Sequence, residues 1–449
     1  MYTTESIRQK LVLFFKIFLP ILVYQLANYS TAFIDTMMTG RYATSHLAGV
    51  SIGGSIWTPI LTLLTGIASV LVPIVGQDFG SGKKEKIKKD FYQFIYLALG
   101  LSLVTLVLGG LFLKPLLSLL GLESLVEEVA FTYLTYLALG ILPFLLFTVC
   151  RSFMDALGLT RLSMYLMLLI VPFNAGLNYL FIYGQFGFPK LGGAGAGLGT
   201  ALAYWFLLGV TVLVLRYHPD LRGYDLQEKE SFDWQACRSA LRLGLPIGGM
   251  SFAEVGFFAI VAIFMSKFST EVIAAHQAAI NFASLMYAFP LSNSMALAIM
   301  VSFEVGAKRY DHARTYTRLG LLAGLAFVVC TLTFLYFNRA GIAALYGKDP
   351  DFIHLVTRFL TYSLLFQLSD ALSAPIQGIL RGYKDTRIPF VICVVSYWAL
   401  CIPFGLLLDR WTDLGPYAYW IGLILGLLTC GLGLGLRLLY VEKQEIAPA

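Results

Sequence analysis

The sequence predicts an all-α polytopic membrane protein with twelve transmembrane helices, arranged as two six-helix lobes related by a pseudo-twofold axis along the membrane normal. Three observations predict it. Hydrophobic residues make up 58% of the 449 positions and charged residues only 13%, about half the charged share of a water-soluble domain. The apolar runs are continuous and about 20 residues long, the length of a helix across a bilayer, without the period-two alternation of a membrane barrel strand. Finally, one constant offset pairs Pro20 with Pro246, Ala48 with Ala274, Gly80 with Gly306, Thr160 with Thr386 and Arg161 with Arg387. An even number of spans per repeat makes two halves of the same orientation.

The apolar segments centre in order near Leu26, Leu63, Leu103, Ile141, Phe173, Phe206, Phe252, Ala288, Phe327, Phe366, Val395 and Leu425. The first follows the basic flank Arg8, Lys10 and Lys16, as a signal peptide would. It is long, lacks a small-residue cleavage site and carries Gln25 and Asn28, so it reads as a retained helix. Lys and Arg concentrate in cytoplasmic loops. Both termini in the cytoplasm puts 24 of the 32 basic residues there, including the cluster Lys83, Lys84, Lys86, Lys88 and Lys89. The expected location is therefore the plasma (inner) membrane. The net charge of +6 then reflects topology, with the lipid bilayer and no nucleic acid as partner. The longest polar stretch, 216–238, reads as a solvated cytoplasmic linker through its mixed charges, Pro219 and Gly223. It separates an N-terminal lobe, 1–215, from a C-terminal lobe, 239–449. A monomer is expected.

Three acids lie where carboxylates have no ordinary place. Glu254 sits inside the apolar stretch Leu243 to Ser266, Asp35 ends a charge-free run from Ile17, and Asp370 lies between two apolar runs. A charge at the bilayer centre costs about 2.5 to 3.5 kcal/mol on insertion scales, so such residues face protein or water and mark ion pathways. In the first helix Tyr24, Asn28, Thr31 and Asp35 recur at four, three and four residues along one stripe, and Asn174 and Asn178 repeat the spacing beside Pro172. One carboxylate with amide and hydroxyl oxygens suits a proton or a small hard cation. In the second half Gln277, Asn281, Ser284 and Tyr287 share a helix face, and Tyr362, Phe366 and Asp370 share another that Glu254 can meet. Acids beside aromatic faces attract cations. Interhelical hydrogen bonding is the plainer use of such polar side chains, and for Asn28 alone it is the preferred one.

Other motifs exclude chemistry. The segment GSGKKEK has Gln77 and Lys84 where a Walker loop needs Gly and Ser or Thr, so no ATP coupling is expected. Gly192, Gly193, Gly195, Gly197 and Gly199 lack the strand of a dinucleotide fold and read as close helix packing. The six cysteines and five histidines are dispersed without metal-ligand spacing. No nucleophile–base pattern occurs, so no enzyme activity, cofactor or metal beyond a monovalent cation is expected.

The stretch AFIDTMMTGRYATSHLAGVSIGGSIW around Asp35, PIVGQDFGSG after it, and the second-half segments IAAHQAAI and SFEVGAKR resemble the multidrug and toxic compound extrusion transporters, within them the NorM-like branch. The resemblance runs through all twelve segments. It implies a V-shaped pair of lobes exporting drugs, cationic and often aromatic, or other toxic organic cations, by antiport with Na+ or H+ as coupling ion. It implies that Glu254, Tyr287 and Asp370 form one cation site and Asp35, Asn174, Asn178 and Thr200 another, with Tyr24, Asn28, Gln277, Asn281 and Phe366 as cavity residues. Phe366 departs from relatives that place a tyrosine there. A proton-only antiporter and a lipid-linked oligosaccharide flippase are the alternatives. The flippase would need fixed cations in its cavity for pyrophosphate, whereas the isolated mid-span charges are acidic.

Overall fold

The computed structural model describes residues 3–444, which are helical almost throughout. A bilayer leaves backbone groups without water, so each apolar segment satisfies its own N–H and C=O groups within a helix. Among the described residues ten helices are long and apolar enough to cross a membrane. An eleventh span results if Ser124–Ala138 and Ile141–Ala156, bent by 48° at their junction, count as one. Outward faces are apolar as well. Leu103, Leu111 and Phe112 on one long helix are 63%, 63% and 62% exposed, a surface that suits lipid and not water.

The chain divides into two compact units. The first runs Leu19–Gly248. It holds most of α1 (Ile7–Tyr42), then α2 (Thr44–Ser69), α3 (Leu71–Gly80), α4 (Lys84–Leu119), α5 (Ser124–Ala138), α6 (Ile141–Ala156), α7 (Thr160–Tyr183), α8 (Gly193–Tyr217) and the single turn α9 (Pro219–Arg222). The start of α10 (Trp234–Met265) completes it. Phe91, Phe94, Phe147 and Phe153 sit in its buried core. The glycines that open α8 serve packing: a Cβ on Gly195 would lie 2.5 Å from the Phe181 backbone. Helix association in lipid depends on such close approach, because lipid tails are as apolar as leucine.

The polar stretch read as a solvated linker is instead docked along α4. Gln93 donates through Nε2 to the Ser231 carbonyl at 2.7 Å and accepts from the Asp233 N–H at 2.8 Å. The Tyr96 hydroxyl donates to the Glu230 carbonyl at 2.6 Å, and Lys89 pairs with Asp233 at 2.8 Å. Counting charges along the chain identifies a polar segment, but not that α4 offers donors in matching register.

The second unit contains residues 3–18 and 249–444. After the rest of α10 come α11 (Thr270–Met286), α12 (Ala288–Gly306), α13 (Tyr310–Tyr346), α14 (Pro350–Gly382) and α15 (Arg387–Val394). A π-helical segment, Val395–Cys401, leads into α16 (Ile402–Trp411), and α17 (Tyr417–Gln444) ends the described chain. The first turns of α1 are held here by side chains: Thr4 Oγ1 meets the Tyr316 hydroxyl at 2.8 Å, Lys10 Nζ lies 3.0 Å from His312 Nδ1, and Phe18 stacks on Phe327. The change of unit along α1 falls next to Pro20, and along α10 just after Pro246. Proline removes one intrahelical hydrogen bond, so a helix is easiest to redirect there.

Candidate cation sites

In the first unit three helices converge on one carboxylate. Asn174 and Asn178, one turn apart on α7, donate their Nδ2 groups to Asp35 Oδ1 at 2.7 and 2.5 Å. Thr200 on α8 is 3.1 Å from Asp35 Oδ2 and 3.3 Å from Asn174 Oδ1. Its single hydroxyl proton serves one acceptor at a time, which leaves an oxygen of the cluster unserved. Asn174 and Asn178 are wholly buried, and Asn178 Oδ1 has no hydrogen-bond partner. Gly199 makes the arrangement possible, since a Cβ there would lie 2.5 Å from Asn178 Oδ1. The phenols of Tyr133 and Tyr204 lie within electrostatic reach of Asp35, and sequence spacing pointed to neither.

Among the described residues Asp35 has no ion pair, and neither do Glu254 or Asp370. The contrast is with Asp155, which is buried, pairs with Arg151 at 3.2 Å and accepts from the Ser163 hydroxyl at 2.7 Å. A buried carboxylate with neutral donors alone retains its full charge to be met by a proton or a bound cation.

In the second unit Asp370 on α14 is 8% exposed and lies within electrostatic reach of Glu254 on α10. Tyr287, at the α11–α12 junction, lines a small cavity together with Asp370. The π-helical segment closes around Glu254. The Trp398 indole N–H donates to the Ala253 carbonyl at 3.1 Å, and Tyr397 stacks on Phe257 at 5.1 Å. A π-helical turn shifts the register of the side chains that follow it and recurs at functional sites. Tyr397 is the residue here that periodicity could not have found, because the sequence pattern assumes a regular helix.

The remaining sequence candidates fall in different places. Tyr24 is buried beneath Arg151, whose guanidinium carbon is 3.5 Å from the ring centroid, so it takes part in a cation–π contact. Asn28 is exposed on α1 outside the Asp35 cluster, and Gln277 is exposed on α11. Asn281 accepts from the Tyr346 hydroxyl at 3.0 Å. Phe366 is buried edge-on against Trp420 and Phe258.

Comparison with known proteins identifies the family. The MatE family model matches the chain twice, over residues 20–180 and 246–407, and the two matches start at Pro20 and Pro246, the prolines that the internal repeat pairs. A probable multidrug resistance protein NorM of Streptococcus pneumoniae (strain ATCC BAA-255 / R6) is 58% identical over 445 residues, covering 99% of this chain and 98% of that protein. A protein of the same description from Bacillus subtilis (strain 168) is 43% identical over 445 residues, with 99% and 98% covered. Among solved structures, the eukaryotic MATE transporter AtDTX14 superposes with a TM-score of 0.86 at 19% identity, covering 97% of each chain. The Vibrio cholerae MATE transporter VcmN in the bent form does so at 0.85 and 19%, covering 98% of each. Two family matches that span both halves, and full-length relatives at 58% and 43% identity, carry one conclusion: the chain belongs to the MatE family, whose members are transporters and not enzymes.

Proposed function

We propose that this protein is a secondary active multidrug efflux transporter that exports cationic and aromatic compounds in antiport with Na+, with H+ as the alternative ion. The observation that carries the reading is the absence of any protein cation beside Asp35, Glu254 and Asp370 among the described residues, while Asp155 has one. Relatives described as multidrug resistance proteins support the substrate class. Asp35, Asn174, Asn178 and Thr200 form one coupling site, and Glu254, Tyr287 and Asp370 the other. No further cofactor takes part, and the protein works as a monomer.

In this reading α14, at 33 residues, is the twelfth span and the bent pair α5–α6 is one span. Two six-helix lobes, 1–215 and 239–449, join through 216–238, with both termini in the cytoplasm and the chain in the plasma membrane. Each charge moved down a 100 mV potential supplies about 2.3 kcal/mol, enough for a drug gradient of about fiftyfold at 1.4 kcal/mol per decade. Ion and drug compete for the same carboxylates, and neutralising them lowers the desolvation barrier to the change of face. The test is ethidium efflux from proteoliposomes under an imposed Na+ gradient and, separately, under a proton gradient alone. Efflux that ignores Na+ and follows the proton gradient would replace Na+ with H+; efflux under neither would reject the antiport.

A further inference from the structure

We propose that Asp370 serves a second, smaller subsite on its α12–α13 side, in which Asn293 and the Ala371 carbonyl help to hold a dehydrated monovalent cation such as Na+. The inference rests on the cation-coupled reading above and adds residues that neither the sequence nor the family comparison assigns. The cavity lined by Asp370 and Tyr287 is about 20 Å3, room for one or two water molecules or a single bare ion. It is too small for a drug. Glu254 does not line it.

Three side chains around this space, Asn293, Gln367 and Thr331, present acceptor oxygens while their own donors are engaged elsewhere. Asn293 on α12 is wholly buried; its Nδ2 donates to the Gly320 carbonyl of α13 at 2.9 Å, and its Oδ1 has no partner. Gln367 turns its Nε2 toward Ser363 Oγ at 3.4 Å, which leaves Oε1 as its unengaged end. The Thr331 hydroxyl donates to the Val328 carbonyl of its own helix at 3.0 Å, which leaves its lone pairs. Pro375 lacks the N–H that would cap the Ala371 carbonyl one turn back on α14, so this backbone oxygen is also released beside the cavity. Gly324 keeps the space open. A Cβ there would lie 3.0 Å from Asn293 Nδ2 and 3.6 Å from the Ala371 carbonyl.

One carboxylate with amide, hydroxyl and freed carbonyl oxygens is the ligand chemistry of a hard monovalent or divalent cation, and a single negative charge favours the monovalent one. Membrane transporters use uncapped carbonyls at helix breaks in this way. A proton needs one acceptor and would leave the others unserved in a water-poor interior, at a cost for each.

The test measures binding of radiolabelled Na+ to the purified full-length chain carrying Asp35→Asn, which removes the other coupling site, with choline as the inert control, alone and combined with Asn293→Leu, Gly324→Ala or Asp370→Asn. The proposal expects Asn293→Leu and Gly324→Ala each to weaken Na+ binding about tenfold or more, equivalent to about 1.4 kcal/mol, and Asp370→Asn to abolish it. Affinity equal to the Asp35→Asn parent in both Asn293→Leu and Gly324→Ala, with loss in Asp370→Asn, overturns the subsite and leaves the antiport reading standing. No change in Asp370→Asn overturns both. If Asn293→Leu does not yield monodisperse protein, Gly324→Ala decides alone, because it fills the cavity without removing a buried polar group.

Discussion

Asp35 on α1 and Asn178 on α7, 143 residues apart in the chain, meet through a 2.5 Å hydrogen bond while the other amide atom of Asn178 is left without a partner. The bond orients a carboxylate, and the spare oxygen is what a bound cation would use. Asp35→Asn is expected to reduce ethidium efflux to background with expression retained. Asn178→Leu removes one donor from a charged acceptor, worth about 1.5 to 3 kcal/mol, so efflux should fall about tenfold or more. A double-mutant cycle on melting temperature checks the coupling of the two side chains; additive losses would mean the two residues act independently.

The acids of the second unit should behave as a pair. Glu254→Gln and Asp370→Asn are each expected to remove the stimulation of efflux by a Na+ gradient. Combining them should cost little more than either alone, since residues acting as a unit are non-additive. Na+-stimulated efflux that persists in both single variants would place coupling elsewhere.

Arg151 and Asp155 form the buried ion pair that the coupling acids lack. Removing one partner strands a charge, at a cost of about 3 to 5 kcal/mol, whereas removing both can be nearly neutral. Arg151→Met is therefore expected to lower the melting temperature of the detergent-solubilised protein clearly, and Arg151→Met with Asp155→Leu to restore much of it. Equal losses in the single and double variants would contradict this. Tyr24→Phe, which keeps the ring under the guanidinium but removes the hydroxyl that Arg151 also hydrogen-bonds, should lower the melting temperature by less than Arg151→Met does.

Docking of the segment before α10 should depend on pH. The hydrogen bond from Lys89 holds the partly exposed Asp233 carboxyl below the usual carboxylate range. A carboxyl depressed in the folded state contributes above its unfolded pKa and loses that contribution as pH falls through the folded value. Protection factors across residues 224–233, which divide out the intrinsic pH dependence of hydrogen exchange, should be high at neutral pH and fall in acid, and Lys89→Ala should give the low protection at neutral pH. A profile unmoved by Lys89→Ala would assign the docking to Gln93, Tyr92 and Tyr96 alone.

Much of the first site was legible because its parts follow helical periodicity. Asn174 and Asn178 are one turn apart, so whatever faces one faces the other, and Asp35 has few other uses in an apolar run. Asn293 was not legible. It lies in the polar triplet Ser292-Asn293-Ser294, which reads as interhelical glue, and only the Gly320 carbonyl determines which end of its amide is committed. Tyr397 was hidden for another reason: it lies on a π-helical segment, where counting by the regular helical period assigns the wrong face.

From the sequence by itself came the helical membrane architecture, the internal repeat, the three isolated acids and the family, because apolar length, periodicity and misplaced charge are local properties of a chain. Which acids find a cation within the protein, where α1 and α10 pass from one compact unit to the other, and which oxygens are left unengaged beside Asp370 were decided only in three dimensions. Hydrogen-bond donors are shared out among helices that lie far apart in sequence, and a carbonyl or amide becomes a ligand only when that sharing leaves it over.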